Sequence, residues 1–439
     1  MERRQSQNER SETLAEPMFK RALKFVHFHI WRRLPHGARR AVLFRVARWW
    51  APAVSSDARS TGPIIVVGML RHASGLGAAA RACHDALKAA GVPVAGIDLT
   101  ARLLHEENHP DFAFDDGREL AGEGLVLLHV SGPLVPLALA YLGRAFVRHK
   151  RIVAHWFWEL PEVPKDWLAA IPFIHEIWVN TRFVRDAVQP IARGRPVHVV
   201  PYPLALEAPP PPGESNRAFT ALVVLNIASS FARKNPCAAI AAFRMAFGND
   251  PSTRLIVKYM NAFAWPDGVR LMEQAAAGAD NIELTGGVFD QAEMHALYHQ
   301  ADVVISPHRS EGLGLVIAEA MLRGLPVIAT DWSGSVDFLT HDIGIPVSYD
   351  LVPVIDPQGN YAGAGMRWAE IRVDEVAAAL QELRADRQWG HRLGSAAAVA
   401  AAAFFCPARY VDHVIESVDG LSDAMAVDRR KSKEPGQRP

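Results

Sequence analysis

Residues 310–321 read Ser310-Glu311-Gly312-Leu313-Gly314-Leu315-Val316-Ile317-Ala318-Glu319-Ala320-Met321. Two carboxylates, Glu311 and Glu319, stand eight positions apart with two glycines between them. Gly312 and Gly314 open an apolar run with the composition of a buried helix reaching about Arg323, and Gly324 is placed to stop it. Pro326-Val327-Ile328-Ala329-Thr330 then has the length and content of a buried strand, and Asp302 to Pro307 forms another before the block. Strand, glycine loop and helix N-terminus together make an anion site. Backbone N–H groups point outward there, and the helix dipole favours negative charge by up to ~2 kcal/mol. Glu319 falls about five residues into the helix, roughly 7 Å from its start at 1.5 Å per residue. Helical side chains lean toward the N-terminus, so its carboxylate reaches toward a sugar ring beyond a bound diphosphate. Glu311 sits on the other side, before the helix. One nucleotide sugar can touch all three features. A buried strand–helix unit with two surface glutamates is the bland reading, and it leaves both glycines unexplained.

The length of 439 residues suits two domains plus tails. With 49% hydrophobic and 21% charged residues the composition is that of a soluble globular enzyme. Formal net charge is zero but uneven: residues 1–60 hold thirteen Lys/Arg against five Asp/Glu. From Phe19 to Trp50 the chain interleaves aromatics such as Phe25, Phe28, Trp31, Phe44, Trp49 and Trp50 with nine Lys and Arg. Aromatics beside arginines on short helices suit an anionic membrane surface, each basic group contributing ~1 kcal/mol. An amphipathic helix packed on the protein's own flank is the competing reading. No nucleic-acid motif is present. The first seventeen residues are polar and charged, so no secretory signal is expected. Leu125 to Gly143 lacks Asp, Glu, Lys and Arg, yet Ser131-Gly132-Pro133 interrupts it; strand, turn and helix are expected rather than a membrane span. Cys83, Cys237 and Cys406 are far apart and form no C-x-x-C pair, which points to a reducing compartment and no metal site.

An α/β pattern runs through both halves. Ile64–Gly68 is a strand, Ser74-Gly75-Leu76-Gly77 a glycine loop, and about 78–90 a helix, the opening of a doubly wound sheet. Further strands are expected at Val94–Ile97, Leu125–His129, Ile152–Trp156, Glu176–Asn180 and Val197–Pro201. Pro209 to Pro212, followed by Gly213-Glu214-Ser215-Asn216, reads as a linker. The pattern then restarts, with strands at Thr220–Asn226, Leu255–Tyr259, Asn281–Leu284 and Val303–Pro307. Helices are expected at Pro236–Phe247, Gln291–Gln300, Val373–Ala385 and about 387–405. The expected organisation is a basic segment over 1–60, a Rossmann-like domain over 61–208, a linker over 209–216, a second Rossmann-like domain over 217–424 and a disordered tail over 425–439.

The glutamate block resembles the E-x7-E motif of the retaining GT-B glycosyltransferases, in particular family 4 (glycosyl transferases group 1), whose pattern is E-G-[FL]-G-L-x-x-x-E-A-M followed by G-x-P-V-I-A-[ST]. The chain matches it nearly position for position through Thr330. The family usually continues G-G-x-x-E. Here Ser333-Gly334-Ser335-Val336-Asp337 replaces one glycine with serine and shortens the acid by a methylene. The resemblance implies two Rossmann-like domains facing each other across a cleft. Within it, Phe231-Ala232-Arg233-Lys234-Asn235-Pro236 looks like the family's basic loop, in which Arg233 and Lys234 hold the donor diphosphate; a solvated surface pair is the alternative. Two cations are what a leaving nucleoside diphosphate requires, because charge develops there as the glycosidic bond breaks.

Other candidates follow from the same resemblance. The loop with Gly75 and Gly77 is similar to the N-terminal glycine loop of these transferases, though a G-x-G loop alone also fits a dinucleotide enzyme with Asp98 as its acid. His129 stands at a strand end, where family members place a histidine on the donor sugar; a hydrogen-bonded core histidine competes with that role. His155-Trp156-Phe157-Trp158-Glu159-Leu160 is similar to an aromatic block of bacterial polysaccharide transferases. Trp156, Trp158 and Glu159 are acceptor contacts in that reading and core filling in the other. In the implied scheme Glu311 binds donor-sugar hydroxyls, the amides of Gly312, Leu313, Gly314 and Leu315 hold sugar and phosphate, and Glu319 accepts from the ribose. No D-x-D motif or ligand-spaced His/Cys set appears, so no metal and no cofactor beyond the nucleoside-diphosphate sugar is expected. The expected function is retaining hexosyl transfer to a saccharide or lipid-linked acceptor in bacterial polysaccharide or glycolipid synthesis, in the cytoplasm or at the inner face of its membrane. A sugar-nucleotide epimerase, a phosphorylase and a non-catalytic membrane-associated scaffold are the alternatives.

Overall fold

Each half of the chain folds on apolar runs that become strands buried on both faces, the composition a parallel sheet demands. The structure is a computed structural model and describes residues 45–103, 105, 107, 109–205, 217–361 and 365–418. The N-terminal sheet has the order β2-β1-β3-β4-β5-β6. Its strands are β1 Ile64–Gly68, β2 Val94–Asp98, β3 Gly124–His129, β4 Lys150–Trp156, β5 Glu176–Val179 and β6 Val197–Val199. The C-terminal sheet has the order β12-β11-β10-β7-β8-β9. Its strands are β7 Phe219–Asn226, β8 Thr253–Met260, β9 Ile282–Gly286, β10 Val303–Ser306, β11 Val327–Thr330 and β12 Ile345–Val347. All pairings within both sheets are parallel. These are two Rossmann-like domains, as expected from the sequence.

Strand order places the chemistry. In each sheet the first strand lies inside, and the chain leaves it in both directions. Between β1 and β3, and again between β7 and β10, neighbouring connections depart to opposite faces and open a crevice at the carboxyl ends of the strands. The loop before the helix Gly75–Ala89 follows β1, and His129 ends β3. Arg233 and Lys234 follow β7, and Glu311 follows β10. The site residues singled out in the C-terminal half therefore meet at a switch point.

Most expected elements appear within a residue or two of their limits, and the helices Pro236–Phe247, Gln291–Gln300 and Val373–Ala385 match at both ends. Leu125 to Gly143 forms β3, a short turn and the helix Val135–Leu142, with most of the stretch buried. The expected linker at 209–216, the basic segment up to residue 44 and the tail from 425 lie outside the described residues. Among the elements not foreseen, two bear on the junction between the domains. One is an antiparallel hairpin of β13 Tyr349–Pro353 and β14 Arg367–Ile371. The other is the helix Pro407–Glu416, whose buried Tyr410, Val411, Val414 and Ile415 form one apolar face. It packs beside the helix Gly75–Ala89, and His413 lies 4.8 Å from the Trp178 ring of β5. The last helix thus belongs in space to the N-terminal domain.

The helix Arg387–Phe404 crosses the end of the helix Leu315–Leu322 at the closest approach glycine permits. A Cβ on Gly394 would lie 2.0 Å from the Gly324 carbonyl oxygen, where Gly324 ends that helix at φ +73°. We expect Gly394→Ala to lower stability by about 1–3 kcal/mol through forced separation of the helices. Urea unfolding checks this, and an unchanged midpoint would contradict the packing.

Candidate active site

The helix expected from Gly312 begins at Leu315, leaving Glu311 to Gly314 as an irregular loop after β10. Gly314 occupies its N-cap at φ +93°, a left-handed conformation that a side chain would strain, and no side chain caps the helix start. Gly312 is needed for a different reason. A Cβ there would meet the Trp158 carbonyl oxygen at 2.4 Å, and one on Gly334 would meet the Gly312 carbonyl at 2.1 Å. The glutamate loop is pressed between the N-terminal domain and the turn at 333–337. Ser333, which replaces a glycine of the familiar pattern, keeps the left-handed φ of +72°. Its hydroxyl accepts from the Glu311 amide at 2.8 Å and donates to the Trp332 carbonyl at 2.5 Å, which offsets that strain.

Glu311 lies between two cations. Lys234 Nζ is 2.5 Å from Oε1, and Arg233 Nη1 is 2.9 Å from Oε2. Arg233 is 2% exposed and Glu311 7%, so these charges act through low-dielectric surroundings. Burial by itself raises the Glu311 carboxyl, but Arg233, Lys234 and His308 outweigh it and hold the group at about 2. Burial lowers the Lys234 ammonium, an effect Glu311 offsets only in part. Arg233 is raised: burial opposes its charge, and Glu311, Tyr361 and Glu159 more than compensate. Arg233 also donates to the carbonyls of Ser310 at 2.7 Å and Ser229 at 3.0 Å. Its loop is strained as well as charged, with Ser230 at φ +72° and Asn235 at φ +53°. Arg309 supports it by donating to the Ala232 carbonyl at 2.5 Å while pairing with Glu370.

Glu319 is the fifth residue of its helix and accepts from the Tyr298 hydroxyl at 3.0 Å. Burial raises its carboxyl, partly opposed by Arg323 and that hydrogen bond. The N-terminal candidates divide. Gly77 is sterically required, since a Cβ would lie 2.3 Å from the His72 carbonyl, whereas Gly75 faces open space. Asp98 is occupied by the loop itself, its Oδ1 accepting from the Arg71 and Thr100 amides and the Thr100 hydroxyl. That placement accounts for Asp98 without a ribose. His129 does not reach the crevice. It is fully buried 4.9 Å from His155, neither ring nitrogen has a partner, and burial holds it neutral. Trp156 is likewise corrected: it alternates into the core, fully buried against Trp167, and offers no face to a sugar.

Trp158 and Glu159 are half-buried at the junction of the two domains. Ser310 donates its hydroxyl to the Glu159 carbonyl, and Thr181 donates to the Gly312 carbonyl at 2.8 Å. Asp337 accepts from Arg182 through the amide at 2.6 Å and Nε at 3.0 Å. The shortened acid of the 333–337 turn is therefore an interdomain contact. Sequence reasoning missed Tyr298, Thr181, Ser310, Arg309 and Tyr361; all lie outside the matched motif residues or act through single hydroxyls. Among the described residues, Cys83, His129 and His155 bring ligand atoms within 4.8 Å of one another, buried on one side of the N-terminal sheet. Their spacing in sequence gave no hint of that proximity.

The depressed Glu311 carboxyl sets a sign for pH dependence. Its contribution to stability is present above the ordinary value of 4.5 and is lost as pH falls toward about 2. Glu311→Gln should cost about 3–5 kcal/mol at pH 7, because the buried Arg233 and the half-buried Lys234 lose their partner. The gap to the parent protein should narrow below about pH 4.5. Thermal melts of both proteins across that range test this; a pH-independent gap would contradict the ion pair.

Residues 264–360 match the family model described as Glycosyl transferases group 1. Comparison with curated protein sequences finds no match. Solved structures share the fold at low identity. Anabaena HepE in complex with UDP and glucose is 16% identical, with a TM-score of 0.58 over 81% of this chain and 98% of that one. Sucrose-phosphate synthase from Thermosynechococcus elongatus is 16% identical, with a TM-score of 0.57 over 80% and 97%. A TarM variant from S. aureus is 11% identical, with a TM-score of 0.53 over 68% of this chain and only 55% of its own length. The chain has the GT-B fold, and its residues 264–360 match the family model of glycosyl transferases group 1.

Proposed function

We propose that the chain transfers a hexose from a nucleoside-diphosphate sugar to a saccharide or lipid-linked saccharide, with retention of anomeric configuration and without a metal ion. The observation that carries this reading is Glu311 held between Lys234 and Arg233 at the β7/β10 switch point. Two cations and a helix N-terminus suit a pyrophosphate, and a carboxylate beside them suits sugar hydroxyls. Without donor the carboxylate neutralises the cations. An incoming diphosphate takes over both, and Glu311 turns to the donor sugar. Glu319, supported by Tyr298, accepts from the ribose. The bond between the anomeric carbon and the phosphate oxygen breaks, the acceptor oxygen bonds to that carbon, and its proton passes to the departing diphosphate. Solved relatives lend support: HepE is described in complex with UDP-glucose, and the TarM variant with UDP and alpha-GlcNAc-glycerol.

Glu311→Ala should lose on the order of 10²–10³ in turnover, the scale of one transition-state contact. Glu319→Ala should weaken nucleotide binding by ~1.5–3 kcal/mol. Transfer assays and calorimetry with a panel of UDP-, GDP- and ADP-sugars measure both. Parent-like turnover in Glu311→Ala would remove that residue from the reaction.

The segment 19–50 supports attachment to the inner face of the cytoplasmic membrane. Its described end, 45–50, is helical, with Trp49 84% and Trp50 70% exposed beside the exposed Arg45 and Arg48. An anionic surface satisfies both the rings and the charges. Sedimentation with phosphatidylglycerol vesicles should carry down the protein, and Trp49→Ala with Trp50→Ala should release it. Equal binding to neutral vesicles, or none to either, would contradict this attachment.

A further inference from the structure

The tip of the β13–β14 hairpin grips the loop that carries Arg233 and Lys234. Asp356 Oδ1 accepts from the Ser230 hydroxyl at 2.9 Å, and that hydroxyl in turn accepts from the Arg233 amide at 3.2 Å. Gln358 Oε1 accepts from the Phe231 amide at 2.5 Å, and its Nε2 donates to the Ile227 carbonyl at 2.9 Å. Asp356 Oδ2 closes the tip on itself by accepting from the Asn360 and Tyr361 amides. The strained Ser230 is thus held from outside its own loop.

Tyr361 extends this grip to the other domain. Its hydroxyl donates to Glu159 Oε2 at 3.1 Å, and its ring lies 5.9 Å from the Arg233 guanidinium carbon and 5.7 Å from the Trp158 ring. Glu159 belongs to the segment whose backbone accepts from Ser310 and packs on Gly312. The Tyr361–Glu159 hydrogen bond therefore joins the two domains beside those of Ser310 and Thr181, where the cation loop and the glutamate loop meet.

We propose that Tyr361 and Glu159 form a positioning pair that fixes Arg233 for the diphosphate when the domains close, so that Glu159 serves as an interdomain latch instead of an acceptor contact. This rests on the transferase reading only in taking Arg233 as a diphosphate ligand. Neither side chain touches the reacting atoms; both act through the phosphate loop. Closing the domains completes the Arg233 setting, and a domain that swings open loses it.

Three substitutions test the pair in the full chain. Tyr361→Phe keeps the ring beside Arg233 and removes one hydroxyl. It should lower kcat about tenfold, the scale of one lost hydrogen bond, with a smaller change in donor KM. Glu159→Ala should do the same, and Glu159→Gln, whose amide oxygen still accepts, should recover most of that loss. Tyr361→Phe combined with Glu159→Ala should be no worse than either alone, because both remove one interaction. Parent-like kcat in Tyr361→Phe, equal damage in Glu159→Gln and Glu159→Ala, or additive losses would each overturn the pair. If the parent protein turns over no sugar nucleotide of the panel, the transferase reading fails, and the latch is judged by small-angle scattering. A larger radius of gyration in Tyr361→Phe and Glu159→Ala than in the parent supports it; identical values overturn it.

Discussion

A buried carboxylate with a cation on each oxygen organises this molecule. Glu311 and the Arg233–Lys234 pair lie far apart in sequence, and the strand order that puts β7 beside β10 brings them together. Each charge alone would be costly in so dry a place, and the set is tolerable because every member has a partner. The same desolvation makes the site responsive to an anion. A diphosphate that enters can compete for a buried arginine and a half-buried lysine, and the low-dielectric surroundings strengthen the contacts it makes. Binding and fold thus use the same three groups.

The second constraint is steric. Gly312 and Gly334 let three backbone segments stack at distances no side chain allows, one of them the Trp158–Glu159 segment of the other domain. The crevice is consequently no gap between independent lobes at this point. Thr181 and Ser310 tie the glutamate loop across the junction, Arg182 and Asp337 tie the 333–337 turn, and Tyr361 ties the hairpin tip to Glu159. Interdomain geometry and the aim of Glu311 are therefore linked mechanically.

Much of the fold could be read from the sequence because a parallel sheet buried on both faces demands apolar runs, and β1 and the central stretches of β3, β4, β7 and β10 are such runs. The glutamate loop was visible because two glycines and a carboxylate at a strand-to-helix turn suit an anion, and the Arg233–Lys234 pair because its loop resembles the basic loop of the glycosyltransferases. What stayed hidden depends on long-range packing. His129 sits at a strand end, but strand alternation sends its ring into the core toward His155 and Cys83. Trp156 is turned inward in the same way, while Trp158, two residues on, meets Tyr361. The β13–β14 hairpin has mixed polar and apolar residues and short strands, which leave no strong period to read. The final helix could be assigned to the C-terminal domain by position, and only its apolar face, matched to the N-terminal domain, places it elsewhere.

The most direct measurement is a crystal structure of the full chain with a nucleoside diphosphate from the panel that binds it. Phosphate oxygens within hydrogen-bonding reach of Arg233 and Lys234, with Glu311 drawn away from Lys234, are the expected result. A nucleotide lodged elsewhere, with the Lys234–Glu311 pair intact, would contradict the role assigned to these three charges.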